Sequence, residues 1–315
     1  MSKRIFIFPG QGSQSVGMGK NLADSFAEAR EVFAEVDDAL NHHLSKIIFT
    51  GPEDQLTQTE NAQPALMAVS LAVVKVLEKQ SGRSLDQMAD FVAGHSLGEY
   101  SGLAAVRALS ISDTARLLRA RGLAMQRAVP AGEGAMAAIF PVETAVAAQL
   151  VAEASTEKNY CDLANDNGGG QMVVSGHVAA VERAMAAATA RGIKRAVRLP
   201  VSAPFHCRLM AAAAAEMADR LADAAFVAPR LPVLANVTAA AVSDPSEIKR
   251  LLVTQITGMV RWRETVESFG SLGITQAVEL GAGKVLAGLV KRINGEVATS
   301  SLSSPEDIDG FIARL

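Results

Sequence analysis

Gly94-His95-Ser96-Leu97-Gly98 forms a G-x-S-x-G pattern. It follows a short apolar run, Asp90–Ala93, and opens a helical pattern, the context in which such a serine is a nucleophile. A sharp strand-to-helix turn lifts the serine above the end of a sheet, and glycines on both sides let neighbouring backbone pass closely. The helix N-terminus behind the serine aims free N–H groups and a positive dipole end at the site. That combination suits attack on a carbonyl, with the negative oxygen held by backbone amides and the Leu97 N–H as the natural first donor. An ordinary glycine-flanked strand–helix turn is the competing interpretation.

A serine nucleophile needs a base. The chain has five histidines, His42, His43, His95, His177 and His206. His42 and His43 lie in a polar stretch at a helix end and suit a solvated surface. His95 adjoins Ser96, where the two side chains should diverge. His177 opens a helix and suits a cap. His206 follows the strand-like Val197–Val201 and the stiff loop Ser202-Ala203-Pro204-Phe205, so elimination favours it. No aspartate stands out as a third member, which leaves a carbonyl to orient the histidine.

Arg121 lies in a helix expected from Ser112, taken as its N-cap, to about Val129. Ile111, Thr114, Leu118, Gly122, Met125 and Val129 form one stripe, and Arg121 falls at its edge. Arg116, Arg119 and Arg127 fall on the other side. An inward arginine needs an anion, because an unpaired buried charge is costly. Two anions fit: a core carboxylate, or the carboxylate of a substrate held in a bidentate clamp.

Two glycine-rich stretches carry less. Gly10-Gln11-Gly12 lacks the third glycine of a dinucleotide loop, and Gly281-Ala282-Gly283-Lys284-Val285 lacks both the early glycine and the Ser or Thr of a phosphate loop.

These groups need elements to hold them. Arg4–Phe8 reads as a strand ended by Pro9-Gly10, and helical periodicity runs from about Leu22 to Leu40 and from Gln63 to Lys79. After Pro130 the order is Ala135–Ile139 strand, Val142–Ala154 helix, Asp162–Ala164 and Gln171–Ser175 strands, Val178–Arg191 helix and Arg195–Leu199 strand. That β-α-β-β-α-β order is ferredoxin-like and predicts an inserted small domain over 131–200. The flanking stretches, 1–130 and 201–315, return to alternation. It includes a helix at about Leu209–Leu221, a strand at Val233–Asn236, a helix capped by Asp244-Pro245, a strand at Gln276–Leu280 and helices at Val285–Ile293 and Glu306–Leu315. The expected fold class is α/β, with a mostly parallel sheet covered on both faces.

Composition agrees. The 315 residues are 49% apolar and 20% charged with net charge −3, which suits a well-cored globular enzyme and argues against a nucleic-acid partner. Two cysteines without a CxxC pair give no case for a structural metal or a disulfide framework, and fit a reducing cytoplasm. Apolar stretches are broken too soon to span a bilayer, and the early first strand leaves no room for a secretory leader, so no membrane association is expected.

Phe8-Pro9-Gly10-Gln11-Gly12-Ser13-Gln14, Gly94-His95-Ser96-Leu97-Gly98-Glu99-Tyr100 and Pro200-Val201-Ser202-Ala203-Pro204-Phe205-His206 together resemble malonyl-CoA:acyl carrier protein transacylases. Gln255 to Val260-Arg261-Trp262 and Glu279-Leu280-Gly281-Ala282-Gly283-Lys284-Val285-Leu286 look like the same family, in the same order. The resemblance implies an α/β-hydrolase-like core with the ferredoxin-like insertion. It implies Ser96 as nucleophile, His206 as base and the N–H groups of Gln11 and Leu97 as oxyanion hole. It matches Arg121 to the residue that binds the malonyl carboxylate, and Gln255 to the one whose carbonyl holds the histidine. Asn165 and Asn167 match an Asn-x-Asn pair near the cleft, and Phe205 matches malonyl-selective members. Ala282 departs from a frequent proline, which touches the shape of that loop but no chemistry.

The expected reaction moves malonyl from malonyl-CoA to the phosphopantetheine thiol of acyl carrier protein in fatty acid synthesis, with no metal or other cofactor. Polyketide synthesis and malonate decarboxylation use similar transacylases, and a serine esterase or thioesterase shares the elbow. An acidic carrier calls for a basic patch. Lys284, Lys291 and Arg292 are candidates, although a solvated helix face is the preferred interpretation of them. A monomer is the default.

Overall fold

The computed structural model describes residues 3–315. The domain expected to begin at residue 1 therefore opens on two residues that lie outside the described ones. β1 is Lys3–Phe8. Its Ile5 and Ile7 face one layer, with Trp262 and Phe269, while Phe6 and Phe8 face the other. A strand buried on both faces is apolar at every position, which is why its sequence is a continuous run.

The other strands are β2 Phe91–Gly94, β3 Gly134–Phe140, β4 Cys161–Asp166, β5 Met172–His177, β6 Arg195–Arg198, β7 Val233–Leu234, β8 Ala241–Val242, β9 Ile274–Leu280 and β10 Ala298–Leu302. One sheet has the order β10-β9-β1-β2-β7-β8. It is parallel except for the last pair, β7 with β8. The second sheet, β4-β5-β3-β6, is antiparallel throughout. The chain is thus α/β, with a mostly parallel sheet and a separate antiparallel one.

Local details differ from expectation where tertiary contacts outweigh local pattern. The helix expected from Leu22 to Leu40 is broken at Phe26, whose extended backbone separates Lys20–Ser25 from Ala27–Leu40. The N-cap of the next arginine-bearing helix, Ile111–Arg127, is Ser110 rather than Ser112. Ser110 is extended and accepts from the Asp113 N–H, while the Ser112 hydroxyl donates to Glu35. The strand expected to reach Asn236 stops at Leu234, because Asn236 turns inward to hold the serine turn. β10, Ala-Thr-Ser-Ser-Leu, escaped the hydrophobic pattern because it is a polar edge strand with one neighbour.

Candidate active site

The serine turn is built by close packing. A Cβ on Gly94 would lie 2.0 Å from backbone atoms of Gly98, and one on Gly98 would lie 2.2 Å from the Phe8 carbonyl oxygen. Only glycines let β2 and the helix Leu97–Ala105 meet so tightly beside β1. Ser96 itself has φ 52° and ψ −110°, a backbone state costing about 1–3 kcal/mol that persists only when its surroundings hold it. They do: Asn236 Oδ1 accepts from the Ser96 N–H (2.7 Å), and Asn236 Nδ2 donates to the Gly94 carbonyl (2.6 Å).

Ser96 Oγ lies 2.8 Å from His206 Nε2. On the far side of the ring, Nδ1 lies 2.8 Å from the Gln255 carbonyl oxygen. A carbonyl can only accept, so Nδ1 carries the proton and Nε2 is free to receive the serine proton; this tautomer is assigned from the network. Burial pushes the His206 imidazole down to about 3; the Arg121 guanidinium adds to the effect, and the Gln255 carbonyl opposes it. The ring is therefore neutral at ordinary pH. His206 also sits at φ 57°, a left-handed backbone state uncommon for a residue other than glycine.

Arg121 is 1% exposed. Its Nη1 donates to Gln63 Oε1 (2.7 Å), and its Nη2 to Gln255 Oε1 (2.9 Å) and to Ser96 Oγ (3.0 Å). Among the described residues no carboxylate lies within 4 Å of it, and its Nε has no acceptor. Burial lowers its pKa, against the neighbouring Tyr100 and Glu99. A core carboxylate, Glu99, is thus near Arg121 but reaches it through Gln255 rather than in a direct salt bridge.

A cavity of about 610 Å³ opens at the C-terminal ends of β1 and β2, facing the antiparallel sheet. Gln11, Ser96, Leu97, Arg121, Asn165, Phe205 and His206 line it, with Gln63, Met125, Met136 and Leu199. In the first helical turn, Gly98 and Glu99 donate to the His95 and Ser96 carbonyls. The Leu97 and Gln11 N–H groups have no protein acceptor among the described residues. Such a site offers a nucleophile, a neutral base, two free amides and a buried cation in one pocket. It suits attack on the carbonyl of an acyl group that carries an anion.

A family model described as acyl transferase domain matches residues 5–294. The malonyl CoA-acyl carrier protein transacylase of Bacillus subtilis is 44% identical over 315 residues, covering all of this chain and 98% of that protein. The chain belongs to the malonyl CoA-acyl carrier protein transacylase family. A solved structure described as the acyl-carrier-protein-S-malonyltransferase of Bartonella henselae has a TM-score of 0.97 at 51% identity, covering 100% of this chain and 99% of that one. Another, described as a type II PKS acyl-carrier protein in complex with its malonyl-transacylase, has a TM-score of 0.95 at 37% identity and covers both chains in full.

Two residues expected in this transacylase site stand behind it rather than in it. Asn167 Oδ1 meets His95 Nε2 at 3.0 Å, so it fixes a ring that itself lines the cavity. Gln255 is fully buried and reaches the site through His206 and Arg121. His177 holds the N-cap position, but its ring contacts the Tyr160 backbone instead of capping. His43 is exposed as expected, whereas His42 is half-buried. Arg119, expected to be solvated, is half-buried and donates to Asn61 and the Glu60 carbonyl. Gln63, Glu99 and Asn236 went unnoticed as members of the transacylase site. Gln63 and Asn236 carry no local signature, and Glu99 was visible only as part of the motif Gly94–Tyr100.

Proposed function

We propose that this chain transfers malonyl from malonyl-CoA to the phosphopantetheine thiol of an acyl carrier protein through an ester on Ser96. The observation that carries this reading is Arg121, a buried cation that bonds no carboxylate directly, 3.0 Å from the nucleophile oxygen. Such a cation selects an acyl group ending in a carboxylate.

In the proposed sequence Ser96 gives its proton to His206 Nε2 as Oγ attacks the thioester carbon. The N–H groups of Gln11 and Leu97 hold the resulting oxyanion. Collapse breaks the C–S bond, and the coenzyme A thiolate leaves with the proton from His206. The carrier thiol then loses its proton to His206 and attacks the ester, and Ser96 recovers its proton as it departs. Gln255 orients the base through its carbonyl, while Asn165 and Phe205 bound the acyl pocket and Asn167 supports it through His95. No step calls on a metal or other cofactor.

The same reading treats residues 1–130 and 201–315 as one α/β-hydrolase-like core, supported by the serine turn at the end of a parallel strand. It treats 131–200 as a ferredoxin-like insertion, supported by the element order and the strand order β4-β5-β3-β6. Among the described residues no helix is long and apolar enough to cross a membrane. A cytoplasmic monomer serving fatty acid synthesis is the setting we propose. The similarity to a transacylase seen with a type II PKS carrier makes polyketide synthesis the second setting.

Intact mass after brief incubation with malonyl-CoA and no carrier tests the reading. One malonyl on the wild type and none on Ser96→Ala is expected. Consumption of malonyl-CoA without an adduct would indicate a hydrolase instead.

A further inference from the structure

Glu99 lies in the first turn of the helix Leu97–Ala105 and is 2% exposed. Its Oε2 accepts from the Asn236 N–H (3.0 Å) and from Gln255 Nε2 (2.9 Å). The same Nε2 also meets the Ser96 carbonyl (3.0 Å) and Asn236 Oδ1 (3.3 Å), while Gln255 Oε1 accepts from Arg121. Acceptors crowd one end of this amide and a donor holds the other, so its orientation is determined by its neighbours. A buried anion and a buried cation are thus joined through one amide dipole, whose negative end faces the cation.

With the cavity empty and Glu99 ionised, as it is above about pH 7, the charges close: Arg121 positive, Glu99 negative, His206 neutral. An acyl carboxylate on Arg121 adds a second negative charge in a region where net charge is costly. We propose that Glu99 is a positioning residue that balances Arg121 through the Gln255 amide while the clamp is empty, and that it takes up a proton when an acyl carboxylate occupies the clamp. This rests on the malonyl reading above.

Both forms of Glu99 are within reach near neutrality. Burial pushes its carboxyl up to about 7; the hydrogen bonds from Asn236 and Gln255 and the charge of Arg121 oppose that rise. The other titratable groups near it are Arg121 on the helix Ile111–Arg127, Tyr100 on its own helix, and His95 and His206 across the cavity. Burial lowers the His95 pKa and pushes the Tyr100 hydroxyl up to about 12, so both stay neutral near pH 7. The charged side chains on the helix Thr59–Ser81 and on β1 are none of them buried, and β2 and β7 carry none.

The test is loading of the full chain with malonyl-CoA in weakly buffered solution from pH 6 to 9. Proton uptake is followed by an indicator dye and the adduct by mass. Transfer of acyl from thioester to serine frees a thiol that ionises only toward the alkaline end of this range, and equally in the wild type and in Glu99→Gln. After that release is subtracted, uptake of up to one proton per malonyl, largest above pH 7, is expected of the wild type. Glu99→Gln, which keeps an acceptor at the same place, should load without uptake. In steady state the malonyl-CoA KM of the wild type should rise above pH 7, by at most about tenfold per unit. That of Glu99→Gln should stay flat. An adduct with no proton uptake in the wild type would overturn the role of Glu99 and leave the malonyl reading standing. No adduct on the wild type would overturn both.

Discussion

Arg121 Nη2 and Ser96 Oγ share a hydrogen bond of 3.0 Å, so the cation touches the nucleophile before any substrate arrives. A malonyl group on Ser96 would place its carboxylate within reach of the same guanidinium. Removing one partner of a buried charge pair costs about 2–5 kcal/mol. Arg121→Ala should therefore lose malonyl loading by a factor on the order of 10² or more, with acetyl loading relatively improved. Arg121→Lys should rescue little, because a single ammonium cannot replace the fork that reaches Gln63, Gln255 and the acyl carboxylate together. Single-turnover loading with malonyl-CoA and acetyl-CoA measures this, and an unchanged preference would remove the clamp.

Asn236 has no motif, yet it holds both sides of the serine turn. Asn236→Ala leaves the Ser96 N–H and the Gly94 carbonyl without their partners, and each unsatisfied buried group costs about 1–3 kcal/mol. A lower urea midpoint together with slower serine acylation is expected. Normal acylation in a folded Asn236→Ala protein would mean that β2 and the helix dictate the turn unaided.

What the sequence displayed and what it concealed divide along one line. Ser96 was legible because its function needs a local conformation, and Gly94 and Gly98 advertise it. His206 was reachable by elimination among few histidines. Arg121 was legible only as an inward residue, since periodicity tells which way a side chain faces but not what it meets. Gln63, Asn236 and the Gln255 carbonyl act across 58, 140 and 49 residues of chain. Nothing in their neighbours along the sequence signals such contacts. The parallel core was visible in Ile5–Phe8, buried on both faces, while polar β10 was visible only once β9 stood beside it.

Gly98→Ala tests the packing of the turn. Its Cβ would lie 2.2 Å from the Phe8 carbonyl oxygen, a backbone atom that cannot move aside without shifting β1. Over-packing of this kind costs about 1–3 kcal/mol or more. The variant should unfold at lower urea and, where folded, load poorly, since Ser96 can no longer meet His206 at 2.8 Å. A well-folded, fully active Gly98→Ala would show that the contact is softer than the packing implies.

The pH dependence of stability reports on His206. Its pKa is about 3 in the folded enzyme and returns to its ordinary 6.5 on unfolding. Between these values the unfolded chain binds the extra proton. The contribution of His206 is therefore full above about pH 6.5 and is lost as pH falls, by at most about 1.4 kcal/mol per unit. Glu99 and Glu279 act with the opposite sign, because burial pushes both carboxyls up to about 7 and the folded state then holds the extra proton between their ordinary 4.5 and 7. His206→Asn keeps both glutamates and removes only the imidazole. From pH 6.5 to 4.5 the wild type should therefore lose stability relative to His206→Asn, by up to about 3 kcal/mol in paired urea titrations. The acid limb of the wild-type loading rate should likewise lie well below pH 6. Parallel stability curves, with an acid limb near pH 6.5, would mean that water reaches the ring and that His206 is not held neutral by burial.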